Sequence, residues 1–353
     1  MSAPLLTVLI DTYNYGQYIE EAVESVLAQD FPREQREILV VDDGSTDDTA
    51  ERLKKYGDAI RYLRKPNGGQ ASAFNFGFAA ARGEIVAALD ADDLWLADKL
   101  KRVCETFEKN PDAGMVYHRT YLWRDGEKVE DDSYFSEVSG NVQENRVSLL
   151  RYPMVGTSCL AFRRDALNKL LPVPEALRSQ ADAYLTALII FVAPVVALPE
   201  FLAKYRLHGT NLFQASAEGA SREVIEHRME MRAALMAEIR AWLERNGHDL
   251  ASPDLKAYLK QWTKAQELDG FKLQKPSRWK YFLHLIEFPR IYAEIMSSRH
   301  RLYSYVRAFG ALVLGYDHLH LLERARKRDV SLFGRSSRAA LTAEERKEVA
   351  THG

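Results

Sequence analysis

Little is in excess in this chain of 353 residues, and each shortage removes a class of protein. There are only two cysteines, Cys104 and Cys159, far apart and without metal-ligand spacing. A disulfide scaffold and a cysteine zinc site are therefore excluded, and two small apolar thiols suit a reducing cytoplasm. Neither sign of charge dominates: 48 Lys and Arg against 50 Asp and Glu leave a formal net charge of −2. A general nucleic-acid binder would carry a basic surplus, so no nucleic-acid partner is expected. No apolar run reaches the roughly 18 residues that span a bilayer. The opening MSAPLLTVLIDTYN has no basic leader and enters a strand pattern at once, so no signal peptide is expected. Internal repeats are also absent.

What is present is regular alternation. Strands are expected at residues 5–10, 37–41, 59–63 and 85–89, with helices at 18–28, 71–81 and 96–109. Strands separated by helices predict a mainly parallel sheet covered on both faces. Such sheets bind ligands beyond the carboxyl ends of their strands. Strands at 114–123, 156–163 and 195–205 and helices at 165–171 and 179–191 continue the pattern, and the polar stretch 124–145 reads as a loop. From about residue 215 the spacing is helical. These signals predict an α/β domain over residues 1–214, in halves 1–110 and 111–214, and a helical region over 215–353 with a loosely attached end.

The unusual polar clusters all fall at expected strand ends. The densest is Ala87-Ala-Leu-Asp-Ala-Asp-Asp-Leu-Trp95, an apolar run that ends in Asp90, Asp92 and Asp93. Three adjacent carboxylates repel unless a cation lies among them, and hard oxygen ligands suit Mg²⁺ or Mn²⁺. Strand alternation would turn Asp90 and Asp92 to the same side. The competing reading is a helix cap, and Asp93 fits it best. Asp42 and Asp43 end another strand, where Asp-Gly-Ser is equally good turn chemistry; Ser45 or Thr46 is expected to cap the helix that follows. At the first strand end Thr12 and Asn14 offer hydrogen-bonding groups, and Tyr13 can stack on a base. Asn67-Gly-Gly69 permits close backbone approach but lacks the order of a phosphate-cradling loop.

Taken in order, Thr12-Tyr-Asn14, Val41-Asp-Asp-Gly-Ser-Thr46, Asn67-Gly-Gly-Gln-Ala-Ser-Ala-Phe-Asn75, Arg82-Gly-Glu84 and Leu89-Asp-Ala-Asp-Asp-Leu-Trp95 strongly resemble family-2 glycosyltransferases. The likeness covers about the first 210 residues. It implies the GT-A fold, an α/β nucleotide-binding domain with a metal-binding Asp-x-Asp motif. It implies a nucleotide-sugar donor, UDP-linked for preference, a saccharide or lipid-linked acceptor, inversion, and Mn²⁺ or Mg²⁺. By this resemblance Asp42 and Asp43 contact uracil or ribose, and Asp90, with Ala91, Asn67 and Gly69 around it, holds the donor. Asp92 binds the metal, joined by His208 of Tyr205-Arg-Leu-His208, and Asp182 is the catalytic base. Two departures stand out: Ala181 replaces the usual Glu before Asp182, and Asp11 replaces the usual proline. A sugar-nucleotide scaffold without turnover and a nucleotidyltransferase are the alternatives. The aromatic and basic helical end suggests a layer on the catalytic domain, a peripheral contact at the inner face of a membrane, or an oligomer surface.

Overall fold

The computed structural model describes residues 5–124, 126–131, 135–153, 155–208, 221–291, 298 and 301–316. Nine strands occur among them: β1 (Leu6–Thr12), β2 (Arg36–Asp42), β3 (Arg61–Arg64), β4 (Ile85–Asp90), β5 (Leu94–Trp95), β6 (Met115–Arg124), β7 (Glu127–Asp131), β8 (Leu160–Arg163) and β9 (Val195–Arg206). The α-helices are α1 (Gly16–Leu27), α2 (Thr49–Leu53), α3 (Gln70–Ala80), α4 (Lys99–Lys109), α5 (Arg146–Arg151), α6 (Arg164–Asn168), α7 (Ala181–Ile189), α8 (Arg222–Arg245), α9 (Pro253–Leu273) and α10 (Arg278–Ile291), with a further helical run over 301–316.

The sheet runs β3-β2-β1-β4-β8-β6-β9-β5, with β7 attached to β6. Its first four strands are parallel. The second half is mixed: β8 is antiparallel to β4 and β6, and β9 runs parallel to β6. Along β1 the pleat divides the core in two. Leu9 joins Leu39, Val41 and Phe74 on one face; Val8 and Ile10 join Ile19, Val23 and Val40 on the other. Such a side chain stabilises the fold by roughly 1.5–3 kcal/mol when fully buried. Gly77 lets α3 lie close to the sheet, since a Cβ there would come within 2.4 Å of Leu9 Cδ1.

Several expectations need correction. The region 124–145 is not all loop, because β7 turns back on β6. Residues 157–159 form a short helical turn before β8, and a two-residue strand, β5, precedes α4. Neither Ser45 nor Thr46 caps the following helix. Asp48 precedes it, and Ser45 and Thr46 instead bond to Asn14.

The chain divides into two compact units, 1–269 and 270–353. In the first, α8 joins the core through Leu235, Ile239 and Trp242, and the Tyr258 hydroxyl on α9 donates to the Ala187 carbonyl on α7 at 2.7 Å. In the second, Phe271, Tyr281, His284 and Tyr316 form an edge-on aromatic cluster. No described helix is long and apolar enough to cross a membrane. The expected boundary at 214/215 lies outside the described residues.

Candidate active site

Parallel strands β1, β2 and β4 end side by side, with Thr12 in register with Asp42 and Asp11 with Asp90. This alignment gathers polar residues that are distant in sequence. One carboxylate oxygen from each of Asp90, Asp92 and Asp93 lies within 4.8 Å of the others. Strand alternation is not what unites them. β4 ends at Asp90, and Asp92 and Asp93 lie in the turn closed by the Asp93 amide donating to the Asp90 carbonyl at 3.1 Å.

The three acids differ in what they can do. Asp93 is buried, accepting the Ser158 hydroxyl at 2.6 Å and the Arg206 backbone amide at 2.9 Å. Beneath it the buried Lys99 ammonium donates to the Ser158 carbonyl at 2.7 Å and lies 3.5 Å from the Trp95 ring centre. Asp93 is thus an anchor that ties the acidic turn to the helical turn before β8 and to the end of β9. Asp92 Oδ2 lies 2.8 Å from His208 Nε2, and the histidine ring sits against Tyr15 and Tyr18 of α1. Burial, then the charges of Asp11 and Asp92, hold the Asp90 carboxyl well above its ordinary range. Asp90, Asp92 and His208 offer the oxygen and imidazole donors that suit Mn²⁺ or Mg²⁺, and a cation would relieve their repulsion.

On β2 and beyond, Asp42 is completely buried. It accepts the Ser45 amide at 2.7 Å and the Tyr62 hydroxyl at 2.5 Å. Asp43 gathers the other loop, accepting from Lys65 Nζ at 2.7 Å, the Gly69 amide at 2.6 Å and the Gly68 amide at 3.0 Å, as well as from Asn67. Both carboxylates therefore shape the loops 43–46 and 65–69. Asn14, with φ of 57°, is part of the same framework: its amide donates to Ser45 Oγ and its Oδ1 accepts the Thr46 amide. Tyr13 is 45% exposed, leaving its ring open for stacking. Gly69, with φ of +86°, passes so close to Arg178 that a Cβ would fall 2.6 Å from its Cα.

Asp182 lies in the first turn of α7. Its Oδ2 accepts both the amide and the hydroxyl of Thr157 at 3.2 Å, and its Oδ1 accepts the Ala183 amide at 2.7 Å. Burial nevertheless raises its carboxyl above the ordinary value. Thr157 adjoins Ser158, whose Oγ accepts the Asp90 amide at 3.2 Å, so Asp182 shares that end of the sheet. Ala181 is fully buried in the core, where a glutamate side chain would need its own polar partners.

Three positioning residues escaped the sequence reading. Gln70 joins the α3 and α7 N-termini by accepting the Ala181 amide at 3.0 Å, and its Nε2 reaches Thr157 Oγ1 at 3.4 Å. Ser158 and Thr157 fix Asp93 and Asp182 from adjacent positions. No single-sequence signal distinguishes these residues from ordinary turn and cap residues.

Comparison with known proteins gives concordant results. The family profile described as Glycosyl transferase family 2 matches residues 7–171. An uncharacterized glycosyltransferase from Nostoc sp. is 36% identical over 229 residues, covering 62% of this chain and 69% of its own length. One from Rickettsia felis is 31% identical over 233 residues, 64% of this chain but only 37% of the relative. Among solved structures, Staphylococcus aureus TarS 1–349 in complex with UDP-GlcNAc matches with a TM-score of 0.60 at 23% identity, covering 91% of each chain. The mannosyltransferase PcManGT from Pyrobaculum calidifontis, in complex with GDP-Man and Mn²⁺, matches at a TM-score of 0.50 and 21% identity, covering 89% of this chain and 88% of that one. These likenesses show the fold.

Proposed function

The chain belongs to glycosyl transferase family 2, and from that premise we propose that it moves a sugar from a nucleoside-diphosphate sugar to an acceptor hydroxyl with inversion, aided by Mn²⁺ or Mg²⁺. The observation that carries this reading is the meeting of two kinds of carboxylate at one sheet end. Asp90 and Asp92 gather at the end of β4 with His208 against Asp92, a corner whose donors suit a cation, while Asp182 arrives separately on α7.

Inversion asks for a base on the face opposite the leaving diphosphate. Asp182 fills that role as a carboxylate oxygen taking the acceptor hydroxyl's proton. Thr157 and the Ala183 amide hold it in place, and burial makes it a stronger base than a free aspartate. Asp92 and His208 would hold the metal, which as a Lewis acid would offset charge on the departing diphosphate, and Asp90 beside them would hold the sugar or ribose of the donor. Thr12, Tyr13, Asn14, Asp42, Asp43, Asn67, Gly69 and Ala91 form the donor side, with Tyr13 as the stacking surface and the buried aspartates as loop supports. TarS with UDP-GlcNAc supports UDP as the nucleotide, and the acceptor is proposed to be a saccharide or a lipid-linked saccharide. A panel of UDP-, GDP- and dTDP-sugars with Mn²⁺, read by thermal shift and then by turnover, tests this. Stabilisation and transfer with one donor series support it; binding of none overturns it.

A peripheral lipid contact is proposed for the second unit. There Leu302, Val306, Phe309 and Val313 are exposed at helical spacing along 301–316, and Trp279, Arg278 and Lys280 are exposed at the start of α10.

A further inference from the structure

Asp11 is a carboxylate that the preceding account does not use. It lies on the central strand of the parallel half, in register with Val41 on β2 and with Asp90 on β4. Residues in register on parallel strands project to the same face, so Asp11 shares the face of Asp90 and of the α3–α7 core. It is only partly covered as a residue, yet its Oδ1 is buried and has no hydrogen-bond partner. No other described residue donates a hydrogen bond to either of its oxygens, whereas Asp42, Asp43, Asp93 and Asp182 are all held by neighbouring donors. A buried polar atom left unpaired is destabilising, so such an atom calls for an explanation.

Position narrows the explanation. Asp11 pairs in register with Asp90, whose amide donates to Ser158 Oγ at 3.2 Å, and the adjoining Thr157 holds Asp182. Asp11 therefore lies at the strand end where the corner proposed for the cation and the turn that holds the base meet. In an inverting transfer, the sugar occupies the space between the base and the leaving diphosphate. Uracil and ribose belong to the other side, with Tyr13 and the Asp43 loop.

We propose that Asp11 is a sugar-recognition residue, whose carboxyl hydrogen-bonds a hydroxyl of the transferred hexose and so helps decide which sugar the enzyme accepts. The inference rests on the donor reading given above. Its test compares the affinity of the full chain, with Mn²⁺ at pH 7, for a nucleoside diphosphate alone and for the corresponding UDP-, GDP- or dTDP-hexoses. The ratio of the two dissociation constants is the increment due to the sugar. Asp11→Ala is expected to cut that increment about tenfold, the loss of one hydrogen bond to a polar partner. Its affinity for the diphosphate alone should stay within about twofold, a scale set by the same hydrogen-bond energies. Asp11→Asn, nearly isosteric and still able to hydrogen-bond, should retain most of the increment and shift the ranking of hexoses, and it serves as the folded control if the alanine variant melts early. An unchanged increment in both variants overturns the inference alone, as does an equal loss for the diphosphate and its sugar form. A wild-type protein that binds no nucleotide sugar overturns the donor reading with it.

Discussion

His208 Nε2 lies 2.8 Å from Asp92 Oδ2, joining the end of β9 to the acidic turn after β4. The two residues form one corner of the proposed cation site, so each should matter through the metal. Asp92→Ala and His208→Ala are expected to weaken Mn²⁺-dependent UDP binding at least tenfold while the affinity without metal changes little, a scale in line with loss of one ligand. Titration calorimetry with and without Mn²⁺ measures both. Unchanged metal-dependent binding in the Asp92 variant would exclude it as a ligand.

Asp182→Asn keeps the shape of the side chain but removes the base. Turnover should fall by roughly 10²–10⁴ with donor affinity nearly intact. Comparable turnover in this variant would take Asp182 out of the base role.

Gly69→Ala places a methyl group against the Arg178 backbone at a positive φ. Destabilisation of about 1–3 kcal/mol is expected, from strain and a displaced loop. Because Asp43 takes its shortest hydrogen bond from the Gly69 amide, nucleotide affinity should fall with the melting temperature. A variant with wild-type melting would show that the 65–69 loop can move away freely.

Asp11 should make stability depend on pH. Its folded value, about 8, exceeds the ordinary 3.8, so the native state holds a proton that the unfolded chain releases. The stabilising effect of that retained proton is complete below about pH 3.8 and is lost progressively as pH rises toward 8, at up to about 1.4 kcal/mol per unit. Asp11→Asn cannot ionise, so its stability should rise relative to the wild type as pH climbs from about 3.8 to about 8. Denaturant melts without metal at several pH values will show it; parallel curves would mean Asp11 titrates normally.

The exposed row Leu302, Val306, Phe309 and Val313 should carry any lipid contact. Replacing all four by serine in the full chain is expected to abolish flotation with vesicles rich in anionic lipid while leaving donor binding intact. Equal flotation of variant and wild type would remove this face from a membrane role.

Much of the catalytic domain was legible because its signals are local. Period-two and helical spacings located β1, β2, β4, α1 and α3 to within a few residues, since each side chain's burial follows from its own element. Antiparallel β8 and the return of β7 on β6 were harder to read, because strand direction depends on partners elsewhere in the chain. The resemblance named Asp182, but no spacing shows that Thr157 and Gln70 hold it in place.

Asp90, Asp92 and Asp93 read alike in sequence as three acids at a strand end. The sequence alone determined that such an end exists, that it is acidic, and to which family the pattern belongs. Tertiary structure decided the division of labour, because a carboxylate's role depends on which donors reach it. Ser158 and Arg206 saturate Asp93, His208 meets Asp92, and Asp90 lies beside Asp11 with raised proton affinity. Those partners come from the turn before β8, the end of β9 and the residues just beyond it, and β1, and only the folded sheet brings them together.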